Sequence, residues 1–150
     1  PNDLYYHGRK LSGILTEVGG ELGRLEYVIL GVGVNVNQRV DDFPPELRTK
    51  AGSLRMERGG YVDRKVLLRT FLQYFEEEYL YALEQGFDRC LTYCRDYSAT
   101  LGRQVEVDNG TQVYRGEAVA IADDGALIIN QGGQQSRVMA GDVQPLANQE

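Results

Sequence analysis

From Tyr27 to Asn37 the chain alternates with a period of two. Val28, Leu30, Val32, Val34 and Val36 fall in one register, and Ile29, Gly31, Gly33, Asn35 and Asn37 in the other. Side chains on a strand alternate between faces, so this spacing predicts a β-strand whose valine-rich face belongs to a core. A second strand is predicted over Lys10–Thr16, after a tight turn at His7-Gly8. The run Gly19-Gly20-Glu21-Leu22-Gly23 separates the two strands. Helical periodicity follows from Asp63, a good N-cap, to about Gln85, with Leu68, Phe71, Leu72, Phe75, Tyr79, Ala82 and Leu83 on a face expected to be buried. Gly86 suits a left-handed helix end. A shorter helix is predicted from Asp88 to about Ser98, with Leu91 and Cys94 turned inward. Tyr74, Tyr79, Tyr81, Tyr93 and Tyr97 read as core and rim.

Beyond Gly102 the period returns to two. Gln104–Val107, Gln112–Ala122, Ala126–Gln131 and Ser136–Ala140 read as short strands joined at Asp108-Asn109-Gly110, Asp123-Asp124-Gly125 and Gly132-Gly133. Asn-Gly is a strong hairpin signal, and short strands that curl on one another suggest a small SH3-like barrel. The tail after Pro145 is expected to fray. Between strand and helix lies Gln38–Tyr61, polar and irregular. A connection this long inside a compact domain is usually either functional or a surface excursion.

A chain of 150 residues suits one domain, or one domain with a small appendage. Net charge is −6, which argues against a general nucleic-acid surface. No apolar run is long enough for a membrane helix, and no signal peptide is visible. The sequence has no initiator Met, and it is expected to be a fragment of a longer protein. Cys90 and Cys94 are the only cysteines and there is one His, too few ligands for a structural zinc site. Buried free thiols in a reducing cytoplasm are the expected reading.

The candidate chemistry sits on the glycine register. Gly31 and Gly33 leave bare backbone that ends in two carboxamides, Asn35 and Asn37, a surface on which a flat ligand could lie and be read by amide donors and acceptors. The competing reading is a solvent face with glycines at a bulge or sheet crossing, and on this strand alone the two stand equal. Lys10, with Gly13 on the same strand and Asn2 and Asp3 just before the hairpin, favours an anion site for a phosphate or carboxylate. Gly31-Val32-Gly33 is not a dinucleotide fingerprint, since the third glycine and the following helix are missing. No Ser-His-Asp set can be built around His7, which reads as a turn residue in an unusual backbone conformation.

Three blocks, Pro-Asn-Asp at 1–3, Arg-Lys-Leu-Ser-Gly-Ile-Leu-Thr-Glu at 9–17 and Gly-Val-Gly-Val-Asn-Val-Asn at 31–37, resemble in order and spacing the second half of the catalytic domain of biotin protein ligases. The likeness continues to the C-terminus. It implies an α+β fold: a partial class II synthetase-like sheet, antiparallel or mixed and covered by helices, over residues 1–100, then the SH3-like barrel over 101–150. In that family Pro-Asn-Asp follows a Lys-Trp pair, and a Gly/Arg-rich loop and the ureido-reading wall of the biotin pocket lie farther upstream. None of these is in this chain, so the resemblance implies half an active site, inactive by itself. The segment matching Gln38–Tyr61 folds over the nucleotide in the family. Gly52 here replaces the usual Thr of its Ala-Thr-Ser-Leu run.

The activity implied is ATP-dependent formation of biotinyl-AMP, then transfer of biotin to a lysine of a biotin carboxyl carrier protein domain. By the same match Lys10 is the catalytic cation. Asn2 and Asn35 contact the adenylate, and Asp3 positions the phosphate end or its Mg²⁺. Gly13, Gly31 and Gly33 admit the ligand close to the sheet. ATP, biotin and Mg²⁺ are the implied small molecules, with no nucleic acid bound through this segment, no membrane, a cytoplasmic location and a homodimer left open. The alternatives are a lipoate-type acyl ligase, or a non-catalytic module whose barrel docks a carrier domain.

Overall fold

A computed structural model describes residues 2–20 and 24–146. Pro1, the last three residues of the expected 19–23 break and the last four residues of the chain lie outside the described residues. The chain divides into two compact units, Pro1–Glu76 and Glu77–Glu150.

The first unit is built on a three-stranded antiparallel sheet in the order β1 (Asp3–Tyr6), β2 (Arg9–Gly19), β3 (Tyr27–Val34). His7 (φ 47°) and Gly8 (φ 76°) make the β1–β2 turn, as their position suggested. On the β2–β3 ladder Gly13 lies opposite Gly33, and Leu15 opposite Gly31, so all four share one face. The expected core face behaves differently. Val36 is buried, but Val28, Leu30, Val32 and Val34 are 39–49% exposed. The pattern identifies which residues could be covered, but burial also needs a second layer, and within the described unit only Val36 meets one.

The Gln38–Tyr61 stretch is ordered rather than irregular. It contains 3₁₀ turns at Val40–Asp42 and Pro45–Leu47 and a short helix, α1 (Leu54–Arg58). Ser53 is fully buried, and its hydroxyl caps α1 by accepting from the Met56 N–H at 3.2 Å. Asp63 caps α2 (Arg64–Gln85), accepting from the N–H groups of Lys65 (2.8 Å) and Val66 (3.3 Å). α2 has no buried residue. Leu68 and Leu72 are more than half exposed, so the apolar stripe is present without the burial expected of it. Gly86 ends α2 with φ 85°.

The second unit centres on a five-stranded antiparallel sheet in the order β7 (Gln134–Val138), β6 (Leu127–Gln131), β5 (Val113–Ile121), β4 (Gln104–Asp108), β8 (Asp142–Pro145). Val105, Val107, Ala118, Ile129 and Val138 form its core, with Leu101, Tyr114, Leu127 and Val143 packed around them. The edge strands β7 and β8 are not paired with each other among the described residues, so closure into a complete barrel is not seen. α3 (Asp88–Asp96) is tied to this sheet by Arg95, whose Nε donates to the Ile121 carbonyl at 2.9 Å while Nη2 meets Asp123 at 2.7 Å. Cys90 is half-buried and Cys94 exposed, both free, so buried thiols were the wrong expectation. The five tyrosines expected in the core or at its rim are 38–75% exposed. They pack on the surface: Tyr93 stacks on Tyr97, and Arg89 lies 5.1 Å from the Tyr81 ring centre.

Candidate functional site

The first unit carries an open depression of about 500 Å³ on the glycine face of its sheet. It is lined by Asn2, Asp3, Lys10, Gly13, Ile14, Leu15, Gly31, Val32 and Gly33. Six of the seven residues to which the family resemblance gave a role therefore meet in one place. Asn35, the seventh, stands just outside, with its Nδ2 3.4 Å from the Lys10 carbonyl, a long contact. Asn37 is turned to other work: its carboxamide pairs with the backbone of Val62. It is therefore not free to read a ligand.

Lys10 reaches this face because of an irregularity in the ladder. Leu4 is opposite Ser12, but Tyr5 is opposite Lys10, so Leu11 is an extra residue on β2. Strict alternation from Gly13 would place Leu11, not Lys10, on the glycine face. A bulge re-aims the side chain beside it, and here it brings the ammonium of the preceding residue over Gly13. Lys10 Nζ then sits 2.7 Å from Asp3 Oδ1, the two side chains being 43% and 28% exposed. The Asn2 carboxamide donates to the Ile14 carbonyl at 3.2 Å, which fixes the other side of the same rim.

The glycines separate into two kinds. A Cβ added at Gly13 would lie 3.2 Å from Lys10 Cε and 3.3 Å from both Lys10 Nζ and Asp3 Oδ1, so the bare Cα there makes room for the ion pair. A Cβ at Gly31 or Gly33 would meet nothing closer than 3.7 Å. Neither of these has a positive φ, and the bulge lies elsewhere, between β1 and β2. The fold itself does not require glycine at 31 or 33, so a bulge or crowded crossing does not explain them. Their effect is to keep the floor of the depression flat.

One contribution escaped the sequence reading. Segment 50–52 pairs with Lys10: the Lys10 N–H donates to the Lys50 carbonyl at 2.8 Å, the Gly52 N–H donates to the Lys10 carbonyl at 3.0 Å, and Lys10 and Ala51 form a parallel bridge. No spacing within residues 50–52 announces a partner forty residues away. A Cβ at Gly52 would come within 3.1 Å of Arg9 Cβ and Leu11 Cδ2. The smaller residue here thus suits the close approach of this segment. Among the described residues no three His, Cys, Asp or Glu side chains gather as a metal site, so Asp3 stands as a single carboxylate. No helix among them is long and apolar enough to cross a membrane.

Two family models match the chain: the biotin/lipoate A/B protein ligase family over residues 1–35 and the biotin protein ligase C-terminal domain over 100–144. The bifunctional ligase/repressor BirA of Bacillus spizizenii is 33% identical over 144 residues, covering 96% of this chain and 44% of that protein. The biotin–[acetyl-CoA-carboxylase] ligase of Mycobacterium tuberculosis is 34% identical over 144 residues, 95% of this chain and 50% of its own length. The Aquifex aeolicus biotin protein ligase solved with biotin and ATP superposes with a TM-score of 0.81 at 27% identity, covering 97% of this chain and 60% of that one. Its apo structure gives 0.85 at 26% identity, with 63% of that chain covered. The chain spans about half the length of the curated relatives it matches.

Proposed function

We propose, because this chain belongs to the biotin protein ligase family, that its glycine-floored depression is part of the site in which biotin and ATP are joined to biotinyl-AMP. The biotinyl group then passes to a lysine of a biotin carboxyl carrier protein domain. The observation that carries the reading is the room at Gly31 and Gly33. Two positions where the fold leaves room for a Cβ hold none, beside the one ammonium that lines the depression among the described residues.

The chemistry follows from charge. An oxygen of biotin's carboxylate attacks the α-phosphorus of ATP; the new P–O bond forms as the bond to pyrophosphate breaks. Both reactants are anions, so bringing them together is unfavourable and negative charge builds on the phosphoryl oxygens. A cation fixed by its own backbone lowers that barrier by positioning and by electrostatic stabilisation. Lys10 is assigned this role. Asn2 and Asn35 are assigned to the adenylate. Gly13, Gly31 and Gly33 let it lie against the sheet. In the second step the carrier amine attacks the carbonyl of the mixed anhydride and AMP leaves.

Asp3 is assigned to the phosphate end. Mg²⁺ is usually held by one or two carboxylates together with substrate phosphates, so a lone Asp3 fits a metal that arrives with the nucleotide rather than one caged by protein. The barrel-like unit is assigned to the family's C-terminal domain, with a boundary near residue 100, where the second family model begins. Because the chain spans about half of its curated relatives, it is proposed to contribute part of the site and to be inactive alone.

The test is biotin-dependent ATP–pyrophosphate exchange in the full-length protein that carries this chain. Lys10→Ala should slow it by about 10²–10³-fold, the loss typical of one electrostatic stabiliser, without lowering the unfolding temperature. An unchanged rate would remove Lys10 from the reaction. Lipoate is the substrate to compete against biotin, since the model matching residues 1–35 covers both ligase types. Preference for lipoate would move the assignment to that branch.

A further inference from the structure

The Gln38–Tyr61 segment is closed at its base by one side chain. Asn37 donates from Nδ2 to the Val62 carbonyl at 2.8 Å and accepts at Oδ1 from the Val62 N–H at 2.9 Å. A carboxamide carries both a donor and an acceptor, like a peptide group, so Asn37 acts as a short rung of ladder between chain segments twenty-five residues apart. Three more ties follow inside the loop. The Ser53 hydroxyl donates to the Gln38 carbonyl at 2.6 Å. The Leu54 N–H reaches the Asn35 carbonyl at 2.9 Å and the Arg55 N–H the Val36 carbonyl at 2.8 Å. From there the chain runs back through buried Ser53 and Ala51 to Gly52 and Lys50, the two residues that hold the Lys10 main chain.

Asn37 is thus connected to Lys10 through side-chain ties, two backbone hydrogen bonds and the short run of chain from Arg55 back to Lys50, although it is not among the residues lining the depression. Pairing of this kind shifts only by whole residues, and a slip of one residue sends every side chain to the opposite face. The bulge at Leu11 leaves Lys10 open to that error, because β1 alone does not hold it in strict alternation.

We propose that the Gln38–Tyr61 segment is a pre-closed clasp that sets the position of Lys10, and that Asn37 is the positioning residue that keeps the clasp in register. For its kinetic consequence this rests on the function assigned to Lys10. The clasp itself does not.

Backbone amide exchange, followed by NMR on the 150-residue chain, tests the clasp directly. In Asn37→Ala the amides of Lys10 and Gly52 should exchange about tenfold faster, the factor produced by losing roughly one net hydrogen bond. Those of Val105, Val107 and Ile129 in the second unit should be unchanged. Asn37→Asp retains the acceptor for the Val62 N–H and removes the donor to its carbonyl. It should give a smaller acceleration at the same two amides, and it carries the comparison if Asn37→Ala does not fold. In the full-length protein, Asn37→Ala should lower kcat for biotin-dependent pyrophosphate exchange by about tenfold while KM for ATP changes less than about twofold, the signature of a misplaced group rather than a lost binding contact. Unaltered exchange at Lys10 and Gly52, acceleration spread evenly over both units, or a raised KM with kcat intact would each overturn the proposal. If the unmutated protein catalyses no such reaction, the functional reading fails, and the amide comparison still decides the clasp.

Discussion

Two glycines of the three-stranded sheet are used in the opposite way to one in the five-stranded sheet. In the five-stranded sheet, Gly116 is pressed against its neighbour: a Cβ there would lie 2.4 Å from the Asn130 carbonyl oxygen. In the three-stranded sheet, Gly31 and Gly33 have space for a Cβ and leave it empty. The second sheet packs a buried apolar core of Val105, Val107, Ala118, Ile129 and Val138. The first exposes apolar residues on both faces, among them Leu15 at 64% and Leu30 at 49%. Charge divides along the same line. Residues 1–76 hold eleven Lys and Arg against ten Asp and Glu, whereas residues 77–150 hold five against twelve. An anionic ligand is therefore repelled by the unit that is best packed and tolerated by the one that is not. One sheet is organised for its own stability, the other for a surface that something else completes.

That contrast can be broken by experiment, most forcefully at the core. Ile129→Ala should cost about 2–5 kcal/mol by leaving a cavity, whereas Leu15→Ala on the exposed ribbon should stay within about 0.5 kcal/mol. Chemical denaturation of each variant measures both, and equal losses would mean that the ribbon is a core after all. Gly116→Ala comes next. Forcing a methyl group against the Asn130 carbonyl should cost about 1–3 kcal/mol through backbone displacement. The smallest effect on stability belongs to Gly33→Ala, expected to be neutral or to stabilise by about 0.4–1 kcal/mol because the unfolded chain loses freedom. Its effect on nucleotide-dependent activity of the full-length protein should be severe. A Gly33→Ala protein that is both stable and fully active would leave the bare floor without a purpose.

Much of this arrangement was legible in the alternation of residues. β2, β3 and the strands from Gln104 to Gln131 follow their apolar period, and the Asn-Gly and Asp-Gly pairs mark their turns. The N-cap at Asp63 and the stop at Gly86 fix α2 because both act within a few residues of themselves. What escaped depends on distant partners or on counting. β8 has a single inward valine, Val143, and ends at Pro145, too short a signal for a strand to be expected there. α1 spans only five residues and is held by the buried hydroxyl of Ser53 more than by any periodicity. Asn37 continues the same register as Asn35 and looked equally free, yet Val62 claims it. Apolar periodicity on β3 and α2 located a face without revealing whether anything lies upon it. Gathering Asn2, Asp3, Lys10, Gly13, Gly31 and Gly33 at one depression required the sheet register, which the paired glycines at 13 and 33 fix in retrospect.

Leu11 gives this sheet an arithmetic of its own. Because Lys10 lies three residues before Gly13 yet shares its face, the position of its ammonium depends on the bulge being kept more than on which apolar side chain occupies position 11. Substitutions at 11 would leave the charge where it is. Deleting Leu11 itself would make the hairpin regular and set Lys10 two residues before Gly13, still on the glycine face, whereas straightening the strand at its present length would carry the charge to the reverse of the sheet.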